Sequence, residues 1–548
     1  MPPEKNSAAK IEWLAAALIS VAILWLHFYF LFHAGGLWRD EVNLVNLSAR
    51  HSFSEMAQDS FPILMPLLVR VWSVIGLGQN DLGLRLFGTL IGLGIPAAFW
   101  VAARSARRPP LFSLSLFGLN LAVIVYCDSL RGYGLGSLLI VLTAAAMWIF
   151  LKKPSAARAG ILALAAILSV QALYQNAVLF AAICFGAWMV CWRQKKFSAA
   201  VKILCAALVA AISLLPYWKI ISGLPQSAIS ERTGFSPVIA LHNFSALTAF
   251  PKPAYTCVWG FLTLAVIGSG CAAFFARDKK SSAATNEILQ DDLPLFAGAT
   301  LFATVAGFTG FLWFAAVPTE PWYFLPPIAL MAVCFDLGLP LPSLHRYCRL
   351  AFFTLVAATA LIAIPFDYRN LDLRFTNVDL LARQLAAKAA PQDFIIVTPW
   401  YCGISFDRYF KAPTPWQTLP PLADHSTHRY DLFREKMKTP GALQPLLDQI
   451  AATLQSGHRV WIVGSMDIPE PGAPLPADLP PPPLKYSGWS DTPYSSTWTE
   501  QTAWFLQNHS LRFEREDQDM NDNVNFHENL QLFVVQGWKN SIPATNKP

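Results

Sequence analysis

Residues Trp13–Phe32 read WLAAALISVAILWLHFYFLF, twenty residues without an Asp, Glu, Lys or Arg. A helix of that length rises about 30 Å, which is roughly the thickness of a bilayer's hydrocarbon core. The run is too long for a signal-peptide core and no small-residue cleavage site follows it, so it reads as a retained first span.

Composition says the same of the whole chain. Of 548 residues, 54% are hydrophobic and 14% charged, with mean hydropathy +0.39. A soluble domain carries about 25% charged residues, so much of this surface is meant for lipid. The net charge of +6 is modest and points to no nucleic acid. Eight of the nine cysteines lie in or beside apolar runs, Cys402 stands alone in the polar tail, and no C-x-x-C occurs. That pattern suits buried thiols rather than a disulfide framework or a metal cluster.

Eleven segments are long and apolar enough, or nearly so, to be spans: Trp13–Phe32, Leu82–Ala103, Leu111–Tyr126, Tyr133–Leu151, Ala159–Leu173, Ala177–Trp192, Val201–Trp218, Tyr255–Ala276, Leu293–Val317, Trp322–Leu339 and Leu350–Phe366. A tight hairpin at Tyr174-Gln175-Asn176 joins the fifth and sixth. Basic clusters at Arg104–Arg108, Lys152–Arg158, Arg193–Lys196, Arg277–Lys280, and Arg346 with Arg349 each follow an even-numbered span, and Lys5 and Lys10 precede the first. Positive charge stays cytoplasmic. The expectation is therefore a plasma-membrane protein with a cytoplasmic amino end (1–12), a membrane domain (13–366) and an extracytoplasmic, periplasmic-type tail (367–548). Phe61–Leu77 (FPILMPLLVRVWSVIGL) is apolar too, but counting it would reverse every basic loop. It would also put Arg70 near the bilayer centre at about 2.5–3.5 kcal/mol. It reads as an interfacial helix in the outer leaflet.

Past Phe366 the composition turns polar. Asn377–Ala390 reads as an amphipathic helix and Phe394–Thr398 as a strand; Ala442–Gln455 and Val460–Val463 repeat that order, and Leu530–Val535 reads as a last strand. Pro469–Pro483 is an extended linker or loop. The fold class expected is thus a polytopic α-helical membrane protein of about eleven transmembrane helices with a C-terminal extracytoplasmic α/β domain.

Polar residues that a bundle does not need collect on the expected outer face. Leu37-Trp38-Arg39-Asp40-Glu41 follows the first span, Tyr126-Cys127-Asp128-Ser129-Leu130-Arg131-Gly132-Tyr133 precedes the fourth, and Glu320-Pro321-Trp322-Tyr323 precedes the tenth. Asp128 and Arg131, three apart, would share a helical face and pair. Each loop alone has a bland account in solvated interfacial charge and an aromatic belt. Three carboxylates at one membrane level, with arginines and aromatics beside them, mark a functional-site candidate.

At these residues the chain resembles the GT-C superfamily of polyprenyl-phosphate-sugar-dependent glycosyltransferases. It is most similar to the bacterial branch related to protein O-mannosyltransferases and the aminoarabinose transferase of lipid A. That branch's aromatic-Arg-Asp-Glu element is matched by Trp38-Arg39-Asp40-Glu41. Its following segment is matched by Asp59 through Leu64, Gly76 and Arg85-Leu86, its acid-x-x-Arg-x-Tyr element by Asp128, Arg131 and Tyr133, and its late Arg/Trp-Tyr-x-x-Pro element by Trp322, Tyr323 and Pro326. The chain departs from the family at Ser60–Leu64, where His-Pro-Pro-Leu-Tyr is frequent, and at Trp322, where arginine is common.

The resemblance implies transfer of a hexosyl or pentosyl group from a polyprenyl-phosphate donor in the membrane lipid to a hydroxyl of an acceptor protein, glycolipid or polysaccharide. Asp40 would be the general base, with Glu41 orienting it or contacting acceptor or metal, and Asp128 would hold Arg131 or contact the sugar. Arg39, Arg131, Tyr133, Arg232, Glu320 and Tyr323 would bind substrate, Arg131 and Arg232 as phosphate-holding cations. The resemblance fixes no cofactor, and a divalent cation (Mg or Mn) is left open. Two other classes compete. A secondary transporter would place ionisable groups at the bilayer midplane, where these span centres carry almost none. A non-catalytic envelope scaffold or sensor would rest on the tail alone.

Overall fold

A computed structural model describes residues 4–57, 61–218, 235–276, 291–315, 319–339, 346–482, 490–518 and 522–539. Arg232, one expected phosphate-holding residue, and Asp59 and Ser60 of the second motif lie outside the described residues. The chain divides into two compact units: Met1–His33, Arg50–Ser222 and Thr233–Asp372 form one; Ala34–Ala49 and the chain from Leu373 form the other.

The first unit is helical. Among the described residues nine helices are long and apolar enough to cross a membrane: Lys10–His33, Asp81–Ala106, Gly132–Lys152, Asn176–Arg193, Phe197–Tyr217, Tyr255–Phe275, Leu293–Ala315, Pro321–Gly338 and Tyr347–Asn370. Helix α1 (Glu4–His33) shows why water is the wrong solvent. Ala16, Ile19, Ile23, Leu26 and Phe30 are buried, while Leu14, Leu18, Val21, Trp25, Phe28 and Phe32 on the other stripe are exposed. Both stripes repeat at three- and four-residue steps and both are apolar, so the outward one needs lipid.

Two of the eleven expected spans take other forms. Ala156–Ala172 is a 17-residue helix, and it turns through Leu173–Gln175 into Asn176–Arg193 as the hairpin reading expects. Leu111–Tyr126 is broken. A π-helical stretch Ser113–Gly118 ends at Leu119 and a short helix Leu121–Cys127 follows. Asp336 caps the start of the segment, accepting from Phe112 N at 2.8 Å and Ser113 N at 3.0 Å. The break falls at Asn120, whose Nδ2 donates to the Leu247 carbonyl at 2.6 Å and whose Oδ1 caps the second piece by accepting from Ala122 N at 3.0 Å.

Leu64–Val74 is an 11-residue helix; at about 1.5 Å per residue it is too short to span. Leu67, Val71, Val74 and Ile75 expose one apolar face. Arg70 donates to the carbonyl of Arg50 at 2.7 Å. An amphipathic helix with one bare apolar face is the shape of an interfacial segment.

The second unit is an α/β sandwich around a five-stranded sheet of order β2-β1-β3-β5-β4. The strands are β1 (Phe394–Val397), β2 (Trp416–Thr418), β3 (Val460–Val463), β4 (Ser510–Arg515) and β5 (Leu532–Trp538). β1 runs parallel to β2 and β3; β5 is antiparallel to β3 and β4. Every residue of β1 and β3 is buried, as expected of central parallel strands covered on both faces. Phe394, Ile396, Val460 and Ile462 meet Phe433, Leu446, Ile450 and Leu506 on one side. Ile395, Val397, Trp461 and Val463 meet Val378, Leu381, Leu385 and Phe406 on the other.

The expected strands are present, the last as Leu532–Trp538, while β2, β4 and the helix Thr492–His509 add elements the sequence reading lacks. The expected linker carries no helix or strand through residue 482, and Pro483 lies outside the described residues. The boundary differs as well. Helix α2 (Arg39–Ser48) belongs to this unit, because its side chains and the preceding turn bond to residues of the tail.

Candidate active site

In the second unit α2 begins at the expected motif. Trp38 is its extended N-cap, and the Glu41 carboxylate accepts from Trp38 N at 3.3 Å, the glutamate half of a capping box. Asp40 and Glu41 occupy the first turn, where the helix dipole favours negative charge. The two acids are not alike. Glu41 is fully buried. Asp40 keeps 17% of its side chain exposed, and its Oδ1 lies 3.0 Å from Nε2 of His428 and 3.9 Å from Nε of Arg39.

Arg39 is held from several sides. Its guanidinium lies 4.4 Å from the ring centre of Tyr401 and 5.2 Å from that of Trp38. It donates to the carbonyl of His527 at 3.2 Å and stands 3.6 Å from Glu528 Oε1. Arg39 N also donates to that carboxylate, at 2.9 Å. Burial works against the arginine's charge, and Glu528, Cys402, Tyr401 and Tyr430 together outweigh it, holding the guanidinium above its ordinary range. Burial pushes the Glu528 carboxyl up, opposed by Arg39 and by hydrogen bonds from Thr376 and Ser405. Burial, and then Arg39, pull His527 down to about 4, so it stays neutral beside the cation.

His428, Glu528 and Tyr401 were not expected from the sequence. The one local signal is the titratable run Asp424-His425-Ser426-Thr427-His428-Arg429-Tyr430-Asp431. Among the described residues no group of three His, Cys, Asp or Glu is arranged to hold a metal ion. Among the described residues the donors at Asp40 are one carboxylate and one imidazole, with the Arg39 cation 3.9 Å away, fewer than the oxygen ligands that a magnesium-type ion takes.

In the first unit the expected Asp128–Arg131 pair does not form. The helix before Asp128 stops at Cys127, and Arg131 is the extended N-cap of the next, Gly132–Lys152, so the two residues do not share a helical turn. Asp128 is buried instead against α1, its Oδ1 2.7 Å from Nδ1 of His27. Gly88 and Gly92 of helix Asp81–Ala106 make room. A Cβ on Gly92 would fall 1.8 Å from Asp128 Oδ1, and one on Gly88 1.9 Å from Asp128 O. Gly92→Ala should therefore push the carboxylate off His27 and lower stability by about 1–3 kcal/mol, read as a lower melting temperature of the detergent-solubilised chain; an unchanged melt would contradict the close approach.

Arg131 lies 5.1 Å from the ring centre of Phe61 and 5.4 Å from that of Tyr133. Tyr133 in turn stacks on Tyr323 at 5.7 Å and meets Phe61 edge-on at 5.5 Å. Trp322 packs at 5.1 Å on Tyr126, and Gln175 Nε2 donates to the Tyr323 carbonyl at 2.9 Å. The motif before the fourth expected span and the motif before the tenth are thus joined through aromatic contacts around one arginine. Glu320 is exposed and caps the short 3-10 turn Pro321–Phe324 through its carbonyl.

No family profile and no curated protein matches the sequence. Among solved structures the chain is similar to ArnT from Cupriavidus metallidurans bound to undecaprenyl phosphate, with 14% identity over 82% of this chain and 92% of that one, and a TM-score of 0.43. It is similar to the Archaeoglobus fulgidus oligosaccharyltransferase in complex with Zn and sulfate, with 10% identity over 95% and 74% of the two chains and a TM-score of 0.46. A third is the arabinofuranosyltransferase AftD from Mycobacteria, with 16% identity over 95% of this chain and 40% of that one, and a TM-score of 0.40.

Proposed function

We propose that the chain moves a sugar from a polyprenyl-phosphate carrier to an acceptor hydroxyl on the outer face of the plasma membrane, with Asp40 as general base. The observation that carries this reading is the state of Asp40. It is a partly exposed carboxylate in the first turn of α2, just past the first span, fixed by an imidazole and flanked by a largely covered arginine.

In the step proposed, the acceptor O–H proton passes to the Asp40 carboxylate as the acceptor oxygen bonds to the anomeric carbon. The bond from that carbon to the phosphate oxygen breaks, and the lipid phosphate leaves with the electron pair. One displacement inverts the anomeric centre. Arg131, set among Phe61 and Tyr133, is assigned to the phosphate as a bidentate fork, and Tyr133 and Tyr323 to the faces of the bound donor. Glu41 fixes the start of α2, and Asp128 anchors its loop to His27. Arg232 and Glu320 are assigned as outer contacts for the donor phosphate and the acceptor.

Deleting the protein from its cell tests the class of reaction. Mass analysis of envelope glycolipids and glycoproteins should find one glycan shorter by a single hexose or pentose. An envelope with every glycan intact would overturn the reading, and loss of a whole preassembled chain would move the protein to the glycan ligases.

A further inference from the structure

We infer that His428, supplied by the C-terminal segment, is the positioning residue that sets the Asp40 carboxylate for proton abstraction. The inference rests on the reading of Asp40 as base, and adds a residue that the motif at 38–41 does not contain.

Three side chains on one face of α2 grip a single short segment of the tail. Asp40, Asn43 and Asn46 are spaced by three, so they lie along one stripe of the helix. Asn46 Nδ2 donates to the Ser426 carbonyl at 2.8 Å. Asn43 Oδ1 accepts from His428 N at 3.0 Å. Asp40 Oδ1 accepts from the His428 ring at 3.0 Å. The segment is stiffened from its own side, since Asp424 accepts from Ser426 N at 2.8 Å, and Arg429 bridges Asp424 and Asp431.

The two asparagines fix the backbone on either side of Thr427, and only the third contact involves a group that bears on chemistry. A carboxylate on a single Cβ turns freely about two bonds. A general base must present its oxygen within hydrogen-bond reach of the proton it takes. A donor N–H on Oδ1, from a backbone that is itself pinned, removes that rotation. His428 and Asp40 keep 15% and 17% of their side chains exposed. The pair is dry enough for the bond to orient and open enough for a substrate hydroxyl to approach. A segment that merely docked on α2 would need the two asparagine contacts and no imidazole.

The test uses full-length protein in membranes, with total prenyl-phosphate lipid extract from wild-type cells as donor and envelope from the deletion strain as acceptor. His428→Ala should lower turnover at saturating extract by about 10- to 100-fold, while the half-saturating amount of extract stays within a few-fold of wild type. His428→Gln places an amide N–H near the lost ring N–H and should regain most of that turnover. Wild-type turnover in His428→Ala would overturn the inference, as would a glutamine variant no better than alanine, or an effect confined to half-saturation. Asp40→Asn run beside them separates the two claims. If it is inactive while His428→Ala is unimpaired, only the positioning role fails; if it is fully active, the base assignment fails and the positioning role with it.

Discussion

Asp40→Asn is expected to reduce sugar transfer by about 10²- to 10⁴-fold, the usual contribution of a positioned general base. The amide is nearly isosteric with the carboxylate, and its oxygen still accepts from His428, whose Nε2 lies 3.0 Å from Oδ1 in the wild-type protein. Arg39 keeps its stronger partner, Glu528, so the start of α2 should hold. What the substitution removes is proton affinity: an amide oxygen cannot take the acceptor's proton at neutral pH. The loss should therefore fall on turnover, with donor extract still half-saturating near its wild-type level. Wild-type turnover in this variant would remove Asp40 from the chemistry and leave the motif a structural one.

Which parts of this molecule were legible in advance follows from how local their causes are. Trp13–Phe32 and the buried strands Phe394–Val397 and Val460–Val463 announce themselves because an all-apolar run has few alternatives to lipid or a covered sheet. β2 is three residues long at the sheet's edge and β4 exposes most of its residues, so neither leaves a clear pattern. Leu111–Tyr126 looks like any other span. It breaks at Asn120, whose side chain donates to the Leu247 carbonyl 127 positions downstream, a contact that no window on the segment contains. The site divides in the same way. Trp38–Glu41 was readable as a motif, and Tyr133 was readable as a sequence neighbour of Arg131, whereas Phe61 reaches that arginine from a distant segment. The imidazole at Asp40 comes from 388 positions downstream and the carboxylate under Arg39 from 489. Asp128 was misassigned to Arg131 for the complementary reason: three-residue spacing implies pairing only where the backbone is helical, and here it is extended at Arg131.

Arg39→Leu should loosen the second unit by about 3 kcal/mol, the low end for breaking a buried ion pair, because the guanidinium retains 17% exposure while Glu528 has none. The leucine still supplies the backbone N–H that bonds Glu528, but the carboxylate loses its countercharge in a site where burial already pushes its pKa up. The carboxyl then either stays charged at a desolvation cost or takes a proton. Its folded pKa rises further above the unfolded value, so the folded state binds more protons than the unfolded one across that interval. Stability of the variant must therefore fall as pH rises through it and level off above, the opposite slope to that of a salt-bridged acid with a depressed pKa. Cys402 reports the opening, since it is the one cysteine among the residues from Leu373 onward, is buried, and has its thiol pushed up by that burial. At about 1.4 kcal/mol per tenfold, peptide-resolved maleimide labelling of Cys402 in the full-length chain should quicken by roughly a hundredfold at neutral pH. Arg39→Leu/Glu528→Gln should recover much of that protection, because the double variant buries an amide in place of an orphaned charge. Equal labelling rates in wild type and Arg39→Leu would mean that the pair does not hold the unit closed.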